Sequence, residues 1–449
     1  MIRAAPRAGE PGPVGPEDAP RGIPLFMRPP PGGRSHDEGH AMTATASPFD
    51  PLTLGPLRLR NRFIRAGANE GMVVEGAPSR ALVKHHRDLA AGGVGMTTVA
   101  YGAVSEVGRT LPNQVWLRPE ILPDLRVLAD AVHAEGGAVS YQLTHGGSFV
   151  TSLKVRGPTM SASSGFNKAG LLRGNLFQRA MTADDMERVT QQFVEAAQLC
   201  RQAGFDAVEL HMGHGYLLNQ FISPLSNRRR DAFGGSAENR VRFPAAVLAR
   251  VKEAVGRDMA VLAKINVADG VKGGATVDDA IVTARALQAA GADMLVLSGG
   301  RNVESGWFMF GSNHDMDEMR KVLAASPITG LMLKWSQRGV PRIAFREMYF
   351  LDYSRRIRAA VDVPLGYLGG AKSLANAEQA VREGFDAVVM ARALIHDPAL
   401  VNKYRDGSAT QSGCTNCNRC VPYIYHPAGT WCVMNPPNDP DLNKIRAAG

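Results

Sequence analysis

Residues 202–208 read QAGFDAV and residues 382–388 read REGFDAV. In both, an amphipathic stretch ends, a glycine follows, and an apolar run begins. Glycine in that place suits a helix C-cap that turns the chain back into a strand. Related junctions stand at 90–95 (AAGGVG), 134–139 (AEGGAV) and 289–295 (AAGADML). Working outward from them gives eight strand candidates: 62–68, 94–100, 138–143, 207–211, 261–266, 293–298, 364–368 and 387–391. Helical stretches such as 183–203, 238–255 and 277–289 lie between them. Several strand candidates are apolar on both faces, as buried parallel strands are. The alternation predicts an α/β protein with a parallel sheet, and eight units within about 340 residues fit a closed (β/α)8 TIM barrel. An open doubly wound sheet would be marked by Gly-x-Gly-x-x-Gly after the first strand, which is absent. Two long connections, 144–179 and 299–340, follow strands. In a barrel they gather at the C-terminal, catalytic face.

The rest of the chain sets bounds on partners. Its 449 residues are 45% hydrophobic and 21% charged, an ordinary globular composition. Residues 1–47 are rich in Pro, Gly, Ala and Arg and predict a disordered leader, with Met42 a candidate true start. Residues 48–405 hold the barrel pattern, and 406–449 form a cysteine-rich extension. No apolar run reaches the roughly 18 residues of a membrane span, and no secretory segment is visible, so a cytoplasmic protein is expected. The net charge of +9 is scattered, its densest knot being Arg228, Arg229 and Arg230. Without an aromatic-interleaved basic stripe, nucleic acid is not expected as a partner.

The segment 208–243 carries the chemistry: VELHMGHGYLLNQFISPLSNRRRDAFGGSAENRVRF. His211, His214 and Tyr216 fall at a strand's C-terminal end and in the loop beyond it. Two imidazoles and a phenol can bind a carbonyl oxygen and deliver a proton, and a phenol is protonated at neutral pH. Ser236 can cap the next helix, with Glu238 favourable in its first turn. A structural role for the histidines, or zinc on His-x-x-His, is the competing reading. The glycines on either side of His214 argue against a helical ligand pair.

This segment closely resembles the Old Yellow Enzyme family of NAD(P)H:flavin oxidoreductases, whose SPLSNRR.D.(Y/F)GGS.ENR.RF run is present nearly letter for letter. The likeness spans roughly residues 48–405. It implies FMN across the barrel mouth, with His211 and His214 holding a substrate carbonyl and Tyr216 donating the proton. It further implies that Gln142 binds the flavin pyrimidine edge and that Lys264 stands near flavin N1 and O2. There a cation would favour the anionic reduced flavin. Ala66, Gly67, Ala68, Asn69 and Ala100 would contact the ring. Gly369, Gly370, Ala391 and Arg392 would take the phosphate. The chain departs from the family in the first strand, where Ala66-Gly67-Ala68-Asn69 replaces Ala-Pro-Met with Thr or Cys. It also has Ala391 in place of the usual Gly before Arg392, and a long loop bearing Trp307, Phe308, Phe310 and Trp335. Those aromatics suit a pocket lining or lid, or plain loop packing.

Cys200 sits in an apolar helical stretch and reads as a core thiol. The other four cysteines, Cys414, Cys417, Cys420 and Cys432, are spaced x2, x2, x11. Four thiolates so close can hold a [4Fe–4S] cluster or tetrahedral zinc, or remain unligated. The 2,4-dienoyl-CoA reductase-like branch of the family carries a [4Fe–4S] cluster here, with one more residue in the second gap. The resemblance thus implies hydride transfer from NAD(P)H through FMN to the C=C bond of an α,β-unsaturated carbonyl compound, by a homo-oligomer. The alternative is an FMN-dependent amine dehydrogenase or demethylase whose electrons leave through an iron–sulfur cluster.

Overall fold

A computed structural model of the protein describes residues 46–436, apart from 112, 151–156, 169, 171–173 and 324–339. Met42, nearly all of the expected leader, and Trp335 lie outside the described residues. Eight strands form the barrel: β1 (Phe63–Arg65), β2 (Met96–Ala103), β3 (Ala138–Thr144), β4 (Ala207–Met212), β5 (Ala260–Asn266), β6 (Met294–Ser298), β7 (Leu365–Tyr367) and β8 (Ala387–Met390). Every neighbouring pair is parallel, and β8 pairs with β1 to close the ring. The eight expected strands are these eight. β1 stops at Arg65, short of the expected end at 68, and Arg65 turns its guanidinium inward. It donates to the carbonyls of Thr98 (2.7 Å) and Ala68 (3.0 Å) and pairs with buried Glu70. β2 runs three residues beyond the expected end at 100, across a bulge between Val99 and Gly102.

The repeated Gly-Phe/Ala-Asp junction has a definite job. Asp206, Asp293 and Asp386 stand just before β4, β6 and β8. Each carboxylate accepts the backbone N–H of a residue at or next to the start of the preceding strand: Val139 at 2.8 Å, Val261 at 2.7 Å and Leu365 at 2.8 Å. Gly384, at φ +85°, makes the turn that delivers Asp386 to this position. These three clamps pin the N-terminal rim of the barrel.

The helices pack outside. They are α1 (Arg80–Ala91), α2 (Leu122–His133), α3 (Ala183–Gln202), α4 (Ala237–Val255), α5 (Val277–Ala289), α6 (Leu351–Arg358), α7 (Leu374–Arg382) and α8 (Leu400–Asp406). Thr182, Thr276 and Ser373 open α3, α5 and α7 with capping boxes. Ser236 caps α4 as expected, accepting from the N–H of Asn239 at 3.3 Å. A hairpin of Leu52–Leu54 and Leu57–Leu59 plugs the barrel floor. Its Leu52, Leu54 and Leu59 pack with Ile64, Met96, Ala207 and Ala260. Among the described residues no helix is long and apolar enough to cross a membrane.

Beyond α8 the chain folds back over the barrel mouth. Tyr423 and Arg419 both donate to Glu318, each at 2.7 Å, on the helix Met316–Leu323. The N–H of Thr430 donates to the carbonyl of Glu70 at 2.6 Å.

Candidate active site

The C-terminal parts of β1, β2, β3, β4, β5, β6 and β8 open into one cavity of about 320 Å³. Its floor is a charged network. Lys264 ends a buried salt bridge to Glu209 (Nζ to Oε1, 3.0 Å) and donates to the carbonyl of Gly67 at 2.9 Å. Gln142 Nε2 donates to the same Glu209 oxygen at 2.5 Å. A Cβ on residue 67 would stand 2.7 Å from Gln142 Nε2, so glycine lets the segment after β1 approach without displacing that amide. Burial lowers the Lys264 pKa, and the Glu209 carboxylate opposes that shift.

Among the described residues, two polar atoms in this wall are buried without partners, the acceptor Gln142 Oε1 and the donor Asn69 Nδ2. Unpaired buried polar atoms are costly. Here they offer one acceptor and one donor beside an ammonium, which fits the imide and carbonyl edge of a flavin ring.

The opposite wall holds the imidazoles and the phenol. The His211 and His214 rings meet edge to face at 4.8 Å, and His211 meets Tyr216 at 4.7 Å between centroids. His211 Nδ1 accepts the N–H of Gly213 at 3.3 Å, which leaves its proton on Nε2 in the neutral ring. His214, at φ +59°, places Nε2 2.8 Å from the Ser298 hydroxyl and takes Asn266 Oδ1 on its backbone N–H at 3.1 Å. Burial, with His214 and Lys264 nearby, holds His211 well below the usual histidine range. Burial and then Lys264 hold His214 down to about 3. Both rings are neutral at physiological pH. Burial, then Tyr101, pushes the Tyr216 phenol well above its ordinary range, so it is a protonated acid. Such a site can orient an electron-poor acceptor and give it a proton.

Of the residues singled out from sequence, His211, His214, Tyr216, Ala66, Gly67, Ala68, Asn69, Gln142, Lys264, Gly370, Ala391 and Arg392 all line this cavity. Ala100 and Gly369 are not among the lining residues. Ala100 donates its N–H to Glu70 at 3.1 Å, and the Gly369 carbonyl accepts from the Tyr367 hydroxyl at 2.9 Å. Of the loop aromatics, Phe310 lines the cavity, whereas Phe308 packs on Phe350 with ring centroids 5.1 Å apart. Sequence reasoning missed Tyr101, Asn302 and Tyr425, which also line the cavity. Tyr101 adjoins Ala100, and only the extension of β2 past the bulge brings it inside.

Cys414, Cys417, Cys420 and Cys432 are all free thiols around one small second cavity. Burial raises the Cys420 thiol to about 12. His396 Nδ1 lies 3.4 Å from Cys432 Sγ. Among the described residues no three His, Cys, Asp or Glu side chains stand arranged as metal ligands, although the donor set itself, four thiols on one cavity, suits iron–sulfur or zinc. The two cavities share Arg392, Ile395 and Cys420 as a common wall.

A parallel barrel with a charged floor, two neutral imidazoles and an acidic phenol at its mouth defines a flavin-dependent oxidoreductase. Residues 47–308 match the NADH:flavin oxidoreductase / NADH oxidase family, and the chain belongs to it. The Old Yellow Enzyme likeness read from 208–243 therefore stands. The chain is 39% identical over 394 residues to the 4,4'-dithiodibutanoate disulfide reductase of Rhodococcus erythropolis, covering 87% of this chain and 95% of that protein. It is 29% identical over 402 residues to the multifunctional alkene reductase/demethylase OYE of Caballeronia cordobensis, covering 88% of this chain but only 53% of that protein. The chain thus spans nearly all of the first relative and about half of the second. The fold is also that of the old yellow enzyme homologue from Zymomonas mobilis, with a TM-score of 0.65 and 19% identity over 88% of this chain and 99% of that one.

Proposed function

We propose that the protein is an NAD(P)H-dependent ene-reductase acting on α,β-unsaturated carbonyl compounds. The observation that carries this reading is the convergence of neutral His211, neutral His214 and protonated Tyr216 on one wall, facing the Lys264–Gln142 floor. FMN, when bound, supplies the hydride that passes from nicotinamide to acceptor. Gln142, Asn69 and Lys264 would hold its ring, and Gly370, Ala391 and Arg392 its phosphate. The imidazole N–H of His211 would donate to the substrate carbonyl and draw off charge as enolate character develops, a contribution of a few kcal/mol in such sites. Tyr216 would then hand its hydroxyl proton to the α-carbon. The four cysteines would carry a metal centre, a [4Fe–4S] cluster ahead of zinc.

A second reading is supported by the 39% identity across nearly the whole Rhodococcus disulfide reductase. The same wall serves it, with Tyr216 protonating a departing thiolate. The test is anaerobic. Protein reduced with NADPH is mixed with 2-cyclohexenone or with 4,4'-dithiodibutanoate, and reoxidation of the flavin absorbance is followed. Faster reoxidation by the enone supports the first reading, and faster reoxidation by the disulfide replaces it with the second. A flavin that accepts electrons from N-methylated amines but not from nicotinamide would overturn both, in favour of the dehydrogenase alternative.

A further inference from the structure

Tyr216 does not stand alone. Its hydroxyl donates to the hydroxyl of Tyr101 at 2.9 Å, and that oxygen lies 2.8 Å from Thr110 Oγ1. Thr110 Oγ1 in turn donates to Gln114 Oε1 at 3.1 Å. The Gln114 amide is fixed at both ends. Its Nε2 donates to the carbonyl of Tyr101 at 3.0 Å, and its Oε1 accepts the N–H of Thr110 at 2.6 Å. A carbonyl oxygen only accepts, so Thr110 must spend its hydrogen there. Its lone pairs then face Tyr101, whose hydrogen points to Thr110 and whose lone pair points to Tyr216. Gln114 therefore sets the direction of every bond in the row.

We propose that Tyr101 is a positioning residue for the acid Tyr216, accepting its hydrogen bond before proton transfer and donating to it afterwards. This rests on the reading of Tyr216 as the proton donor. Before transfer, burial and then the bond to Tyr101 keep Tyr216 neutral. When the Tyr216 O–H bond breaks and its proton joins the acceptor carbon, a buried phenolate is left. A buried anion is strongly disfavoured unless donors surround it, and the Asn302 side chain, which also bonds the Tyr216 hydroxyl and favours the anion, is the first of them. Tyr101 reaches the phenolate by rotating its own hydroxyl away from Thr110, a turn about one C–O bond with no movement of the ring. The ring pair is already in place, with centroids 5.3 Å apart. Tyr101 is only partly buried and lines the cavity. A water entering the cavity can therefore return a proton to Tyr216, leaving a hydroxide for the buffer.

The test uses the full chain with FMN bound and the variants Tyr101→Phe, Tyr216→Phe and the double variant. Anaerobic stopped flow reads flavin reduction by NADPH and reoxidation by 2-cyclohexenone separately. In Tyr101→Phe we expect reoxidation slower by roughly tenfold, well short of the about 10²–10⁴-fold expected when the general acid itself is lost, with reduction by NADPH unchanged. The double variant should be no slower than Tyr216→Phe, since Tyr101 acts only through that hydroxyl. A readout independent of turnover is the ¹³Cζ resonance of Tyr216 in tyrosine-labelled protein, which should move in Tyr101→Phe. An unmoved resonance, additive losses in the double variant, or equal losses in both half-reactions would overturn the proposal. Slow reoxidation in Tyr216→Phe beside wild-type reoxidation in Tyr101→Phe would overturn this inference and leave the acid role of Tyr216 intact. Wild-type reoxidation in Tyr216→Phe would remove that acid role, and this inference with it.

Discussion

The ammonium of Lys264 and the carboxylate of Glu209 face each other at 3.0 Å on neighbouring strands, both side chains nearly inaccessible to solvent. Glu209 also holds Gln142, so one carboxylate fixes both floor groups that would face the flavin pyrimidine ring.

Breaking this pair from one side should be severe. Lys264→Met leaves the Glu209 charge buried and uncompensated, at a cost of about 3–5 kcal/mol. Urea unfolding should show that loss, and FMN should bind more weakly. Removing both charges in Lys264→Met/Glu209→Gln should recover most of the stability without restoring flavin affinity.

Tyr216→Phe should slow reoxidation of the reduced flavin by an enone by about 10²–10⁴-fold, the usual range for loss of a general acid. Reduction by nicotinamide should be unaffected. Rapid-mixing absorbance near the flavin band reads both steps.

The buried histidines predict an acid-sensitive fold. Burial holds His86 and His211 well below the ordinary value and His145 down to about 4. Because the unfolded chain then binds more protons than the native one, stability rises with pH up to about 6.5 and is lost progressively below it. Each such group contributes at most about 1.4 kcal/mol per pH unit in that window. Glu70, raised by burial, acts in the opposite sense. The urea midpoint should therefore fall from pH 7 to pH 5, and His145→Asn should make the fall shallower.

The wall shared by the two cavities couples their contents. Arg392 donates through one nitrogen to Asn418, between Cys417 and Cys420, and through the other to the Phe310 carbonyl at 2.7 Å. Cys417→Ser should lower the iron or zinc content of anaerobically purified protein and speed FMN loss on dialysis. Full flavin retention with no metal would show that the wall transmits nothing.

Asp386→Ala should remove one rim clamp. Leaving the Leu365 N–H unpaired costs about 1–3 kcal/mol, visible as a lower melting temperature, while enone reduction per folded molecule stays the same.

The barrel was legible because its strands and helices obey strong local rules. Glycine at five helix-to-strand junctions, with the apolar runs between turns, located the eight strands. The imidazole and phenol cluster was legible because it lies within six residues of a single strand end. What sequence hid was produced by packing over distance. Tyr101 enters the cavity only through a bulge in β2. Ala100 and Gly369 fall outside the lining while their neighbours Tyr101 and Gly370 fall within it, since a strand end read from pattern does not say which side chain faces inward. The cysteine segment's role as a cavity wall depends on Thr430 reaching Glu70 across 360 positions of sequence, which no spacing rule reports.

The three aspartate clamps and the leucine hairpin lie at one end of the barrel, and every group argued here to do chemistry lies at the other. Changes at the mouth therefore leave the anchoring end untouched. A lineage built this way can exchange one electron acceptor for another by small steps without unravelling. Its members could come to bear names as different as disulfide reductase and alkene reductase while keeping the same foundation.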